Sequence, residues 1–220
     1  MENTHNRKAG AVYPLEQARE LLEFAHAKGI PVHLDGARIF NAAVATGMPV
    51  KELVKNFDSV MFCLSKGLGA PVGSMLVGPR EFIEEARWVR KMLGGGMRQT
   101  GILAAAGLYA LKHNIDQLAE DHEHARMLYD SLKQFEPELL QLEPVETNIV
   151  IFTLTRMDAE EFARKAQEQG VLVHAIAPRR VRLVTHLDVG RDDVLQVLRA
   201  FEQVLRGGNF AAGVDILYPR

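Results

Sequence analysis

Apolar positions along this chain alternate between helical and extended spacing. Leu15, Ala18, Leu21, Leu22 and Ala25 form a helical stripe, with Pro14 suited to the first turn and Gly29 to the stop. Ile30 to Leu34 predicts a short buried strand, so a helix and a strand meet across a tight turn. Ile39 to Ala45 predicts a helix ended by Gly47, and Val50 to Asn56 a further helical turn. Val60 to Leu64 and Val72 to Val77 predict strands, the second containing Gly73 and stopped by Gly78-Pro79; at this separation they can pair as a hairpin. A charged helix over Arg80 to Met92, the run Gly94-Gly95-Gly96, and an alanine-rich helix over Ile102 to Leu111 that can pack on all sides follow.

The second half has a different rhythm. Asn114 to Phe135 reads as one long amphipathic helix with Leu118, Ala125, Leu128 and Leu132 on its buried side. Pro137 and Pro144 bracket a connection. Thr147 to Leu154 predicts a strand, Asp158 to Gly170 a capped helix, Val171 to Ile176 and Val181 to Thr185 short strands, and Arg191 to Arg206 a closing helix. The pattern divides the chain into an α/β part over 1–113, a small α+β domain over 114–206, and an aperiodic tail over 207–220 for which disorder is one expectation.

Composition narrows the function classes. The 220 residues are 47% hydrophobic and 25% charged, ordinary globular values, and the net charge of -2 comes without a basic block. Nothing points to nucleic acid or an anionic membrane surface. No run approaches the ~20 continuous apolar residues of a membrane span. Residues 1–8 lack the apolar core of a signal peptide, and Cys63 is the sole cysteine, so a reducing, cytoplasmic setting is expected.

Two strand ends carry candidate chemistry. Cys63-Leu64-Ser65-Lys66-Gly67-Leu68-Gly69 sets one lysine among glycines where a buried strand runs out. Such a lysine is partly desolvated, and the glycines let a planar group approach the backbone. Its covalent use is a Schiff base with a carbonyl compound or with pyridoxal phosphate. An exposed turn lysine accounts for the stretch equally well. Val32-His33-Leu34-Asp35-Gly36-Ala37-Arg38 is a second apolar run, ending in an acid. A carboxylate against the pyridine nitrogen is what that cofactor needs, and ligands of open α/β sheets lie beyond the carboxyl ends of the strands. Taken alone, Asp35 reads better as a turn or cap acid; the two stretches together carry the inference. Arg98 and Gln99, on the glycine-rich segment, suit a phosphate or a neighbouring subunit as well as they suit a solvated turn. Glu120, Glu123 and His124 share a helical face, which reads as a solvated charged face rather than a metal site.

With these runs placed, the sequence resembles the low-specificity L-threonine aldolases, pyridoxal-phosphate enzymes of the aspartate-aminotransferase-like fold. The matching runs are ENTHN at Glu2 to Asn6, HLDGARIFNA at His33 to Ala42, CLSKGLGAPVGS at Cys63 to Ser74, RKMLGGGMRQTGILAAAG at Arg90 to Gly107, and VRLVTHLDV at Val181 to Val189. The likeness spans about residues 2–206. It implies a fold type I large-domain portion with a central mixed, mostly parallel sheet, and a small C-terminal α+β domain. It implies that Lys66 holds pyridoxal 5'-phosphate, that Asp35 pairs with the ring nitrogen, and that Arg38 lies near the ring hydroxyl or the substrate carboxylate. Arg182 would clamp that carboxylate, and Arg98 would reach a neighbour's cofactor phosphate across a tetramer interface. His186 reads as structural, and His5 as a loop residue.

The activity implied is aldol cleavage of L-threonine or L-allo-threonine to glycine and acetaldehyde. The family has further chain before the ENTHN run, which holds its phosphate-gripping loop, its ring-stacking histidine and its candidate bases. The expectation is therefore an aldolase lacking its N-terminal part, with an exposed sheet edge, weak cofactor binding and little turnover. Alternative readings are β-elimination, serine hydroxymethyl transfer, or a non-catalytic assembly module.

Overall fold

The computed structural model describes residues 1–207, which form two compact units. The first comprises Met1–His5 and Ala11–Ala119; the second comprises Asn6–Gly10 and the chain from Glu120 onward. The 208–220 part of the predicted tail lies outside the described residues.

In the first unit, α1 (Leu15–His26) buries Ala18 and Leu22, one turn apart on its apolar stripe. Strand β1 (His33–Asp35) is only three residues long, shorter than the apolar run that predicts it. The start of that run is tied down outside the sheet: the Asp58 carboxylate accepts the Val32 N–H at 2.6 Å and meets His26 at 2.9 Å. Helices α2 (Ile39–Thr46) and α3 (Val50–Val54) follow, α2 closing on Gly47 at φ 66°. Strand β2 (Ser59–Cys63) pairs parallel with β1, and β3 (Ser74–Val77) pairs antiparallel with β2. The three named strands, in the order β1-β2-β3, thus hold one parallel and one antiparallel pair. Leu34, Ile39, Ala42, Leu53 and Val60 form the core beside them.

All four residues of β3 are exposed, and among the described residues β3 ends the strand order. Helix α4 (Arg80–Met92) buries no residue, and α5 (Gly101–His113) buries only Gly107 and Ala110. Trp88 at 74%, Leu93 at 82% and Ile102 at 85% exposure show how little of this apolar surface the described residues cover. The run that could pack on all sides therefore packs on one.

The predicted long helix is shorter. Residues 114–117 form a turn, α6 covers Leu118–Leu132, and a single 3₁₀ turn closes it at Phe135. In the second unit the sheet runs β4-β5-β7-β6, all antiparallel, with β4 (Leu140–Leu142), β5 (Ile149–Leu154), β6 (His174–Ala177) and β7 (Arg180–Val184). Strand β4 is absent from the sequence reading because three residues between prolines give too short a pattern to register. Helices α7 (Ala159–Glu168) and α8 (Arg191–Arg206) join α6 over one sheet face, where Phe152, Phe162 and Phe201 meet edge to face with all three rings buried. The opposite face presents Ile149, Ile151, Val184 and Ile176, and Ala9 packs on it.

Candidate active site

Lys66 is set by the loop between β2 and β3. The Leu64 N–H donates to the Gly73 carbonyl at 2.9 Å, the Ala70 N–H to the Leu64 carbonyl at 3.0 Å, and the Gly69 N–H to the Lys66 carbonyl at 2.8 Å. Leu64, Leu68 and Ala70 are buried with Ala110 and Leu118, and the Asn114 side chain donates to the Leu68 carbonyl at 2.8 Å. The loop is thus pinned through its apolar residues, and Ser65 and Lys66 are left facing solvent. Lys66 is exposed, which corrects the expectation of a partly desolvated amine. Gly67 has a packing reason for being glycine: a Cβ there would lie 2.8 Å from Leu118 Cδ2.

Asp35 ends β1 in the exposed phase of an alternating strand, flanking buried Leu34. Its Oδ1 accepts the Ala37 N–H at 3.1 Å, which turns the chain into Arg38 and α2. Gly36 is forced: its N–H donates to the Met61 carbonyl at 2.9 Å, and a Cβ would sit 2.8 Å from that same oxygen. Glycine therefore lets the end of β1 stay against β2 at the residue after the acid.

A third strand end joins these two. The Asp35 N–H donates to the Met1 carbonyl at 2.8 Å, the Asn3 N–H to the Asp35 carbonyl at 3.0 Å, and Glu2 pairs with Asp35 in parallel sense. Glu2, Asp35 and Met61 thus lie across one row of three parallel segments, and Lys66 follows on the loop beyond β2. The structure brings Asp35 and Lys66 to the same end of neighbouring strands. Arg38, half-buried, precedes the first residue of α2. Arg98 is exposed on the segment joining α4 and α5.

Arg182 belongs to the second unit. It lies on β7, in register with Ile151 of β5 and His174 of β6. One guanidinium nitrogen donates to Asn6 Oδ1 at 3.1 Å, and its Nε is buried without a partner. The end of β7 is tied to α6: Thr185 Oγ1 donates to the Asp121 carbonyl at 2.6 Å, and Asn148 Nδ2 donates to the Thr185 carbonyl at 2.9 Å. Burial pushes the Asp121 carboxyl up to about 6, against the pull of His186, and pushes His122 down to about 4. Among the described residues, no three His, Cys, Asp or Glu side chains are placed to hold a metal ion, and no helix is long and apolar enough to cross a membrane.

The model of the beta-eliminating lyase family matches residues 1–157. The chain belongs to that family. It is 46% identical over 198 residues to the low specificity L-threonine aldolase of Escherichia coli K12, covering 90% of this chain and 57% of that protein. It is 43% identical over 208 residues to low-specificity L-threonine aldolase 1 of Arabidopsis thaliana, covering 93% and 58%. The chain thus spans under two thirds of the length of these relatives. Among solved structures, the Leishmania major threonine aldolase superposes with a TM-score of 0.74 at 15% identity, over 93% of this chain and 60% of that one. A histidinol-phosphate aminotransferase of Clostridium acetobutylicum superposes at 0.70 with 14% identity, over 94% and 63%. These likenesses establish the fold, the α/β arrangement of fold type I.

Glu2, Gly36, Asn114 and Asn6 have no role in the sequence reading. Glu2 and Asn6 lie in the matched ENTHN run, but only the pairing of Met1–Asn3 with β1 and the hydrogen bond to Arg182 show what that run does.

Proposed function

We propose that this chain is part of a pyridoxal-phosphate-dependent carbon–carbon lyase that cleaves L-threonine and L-allo-threonine to glycine and acetaldehyde. The observation that supports it best is the pair Asp35 and Lys66, an acid and an amine leaving adjacent parallel strands at the same end. The two relatives named as low-specificity L-threonine aldolases, at 46% and 43% identity, supply the substrate.

The donor set fits the cofactor: an accessible primary amine, and a carboxylate anchored through one oxygen to the Ala37 N–H. When bound, pyridoxal phosphate supplies a protonated ring that takes up the electron pair left by Cα–Cβ cleavage. Lys66 Nζ would hold the group and carry a proton once the substrate amine replaces it. Asp35 would keep the ring nitrogen protonated, and Arg38 would lie by the ring hydroxyl or the substrate carboxylate. Arg182 would fix the carboxylate and so select the Cα bond that breaks. Arg98 would contact the phosphate held by a second copy, in a homotetramer of the cytoplasm.

Adding pyridoxal phosphate to the purified chain should give a visible absorption band that Lys66→Ala abolishes. Threonine should then give glycine and acetaldehyde. A wild-type chain that stays colourless at saturating pyridoxal phosphate overturns the cofactor assignment. Formation of a 2-oxo acid instead of glycine favours β-elimination, the second reading, which the family's own description supports.

A further inference from the structure

Two arginines stand two residues apart on β7 and are treated differently. Arg180 meets the Glu143 carboxylate and also donates to the Arg7 carbonyl at 3.2 Å. Its charge is compensated. Arg182 has no acidic partner among the described residues; its one hydrogen bond goes to the neutral amide oxygen of Asn6 at 3.1 Å. Its Nε is buried and unpaired. A guanidinium without an acidic partner among the described residues, on a half-buried strand position, attracts an anion because its charge is poorly screened there.

Asn6 belongs to a segment anchored at its other end. It starts the short segment Asn6–Gly10, which lies on the outer face of the second sheet. Ala9 is 1% exposed and packs against Ile149 and Ile151, and Thr147 Oγ1 donates to the Gly10 carbonyl at 2.8 Å. Gly10 admits no side chain there, since a Cβ would lie 2.2 Å from that hydroxyl. The segment is thus fixed at its far end, and Asn6 presents its oxygen to one edge of the guanidinium.

We propose that Asn6 is the positioning residue for Arg182. It orients the guanidinium with a neutral acceptor, so that the full positive charge stays available for a substrate carboxylate. The carboxylate role of Arg182 is the one given to it above, and the proposal rests on that reading. An aspartate at position 6 would orient the group equally well but would neutralise it and compete with the ligand. That contrast separates positioning from mere packing.

The test uses this chain loaded with pyridoxal phosphate, with glycine as the carboxylate probe and methylamine as the amine lacking a carboxylate. Binding is read from the visible band, and the Arg182 Nε–H signal is followed by NMR in the cofactor-free chain. Asn6→Ala should raise the Kd for glycine roughly tenfold, the loss of one hydrogen bond to a charged group. The Kd for methylamine should not move, and the Arg182 side chain should lose order. Asn6→Asp should keep that order and still weaken glycine binding. Unchanged glycine affinity and unchanged Arg182 order in Asn6→Ala overturn the proposal, provided Arg182→Lys weakens glycine. Recovery of both properties in Asn6→Asp overturns the neutral-acceptor argument. Should Arg182→Lys leave glycine binding intact, the carboxylate reading itself fails, and the NMR signal alone decides whether Asn6 orders the arginine.

Discussion

Asp121 and His122 are consecutive on α6, and burial moves them in opposite senses. Asp121 is raised from 3.8 to about 6, and His122 is lowered from 6.5 to about 4. For the acid, both states are protonated at low pH. As pH rises through this window the unfolded chain ionises first, so the folded state loses stability until its own carboxyl ionises. For the imidazole, both states are neutral at high pH. As pH falls the unfolded chain takes up its proton first, so the folded state again loses stability, now in the other direction. The two slopes oppose each other. These shifts set an upper bound near 3 kcal/mol per group, and after allowance for screening by solvent about 2 kcal/mol each is the working figure. Asp121→Asn removes one slope. Relative to wild type it should be neutral near pH 3, below the unfolded carboxyl's 3.8, and more stable by about 2 kcal/mol above pH 6. His122→Gln should show the mirror image, neutral above pH 6.5 and more stable by about 2 kcal/mol near pH 4. Urea unfolding followed by circular dichroism across this range measures both differences. If each variant differs from wild type by a constant amount at every pH, the burial argument for these two groups is wrong.

Other consequences are local. Gly36→Ala should cost about 1–3 kcal/mol of stability, because the new methyl meets the Met61 carbonyl and parts the end of β1 from β2. It should also weaken pyridoxal phosphate binding by displacing Asp35, read by thermal melting and by cofactor titration; full cofactor affinity would show that Asp35 is placed by something else. Phe162→Ala should cost about 3–5 kcal/mol in chemical denaturation, since the ring is fully buried between Phe152 and Phe201.

Much of the fold was legible because its elements repeat a local period. The helix over Arg191–Arg206 has the bounds its stripe predicts, with Val194, Leu198, Phe201 and Leu205 buried on one side. Strand ends were less legible. Val32 reads as strand, yet the Asp58 carboxylate, 26 residues away, takes its N–H. Residues 114–117 read as helix, yet Asn114 spends its side chain on the Leu68 carbonyl and the chain turns there. Such competing partners are distant in sequence and leave no trace in periodicity.

The candidate site divides along the same line. An amine among glycines and an acid at a strand end are statements about residue type, and the sequence alone determined them. That Asp35 and Lys66 leave neighbouring parallel strands at one end was decided by pairing, through the Gly36 and Met61 hydrogen bond and the register of β1 on β2. The glycine reading shows the difference most plainly. Gly67 suggested room for a ligand, but its missing side chain makes room for Leu118. The partner of Arg182 was likewise out of reach of any pattern, because a hydrogen bond across 176 positions exists only once the chain has folded. Residue chemistry is local and survives in the sequence; proximity is set by packing and hydrogen bonding between distant segments, which is why the tertiary structure had to supply it.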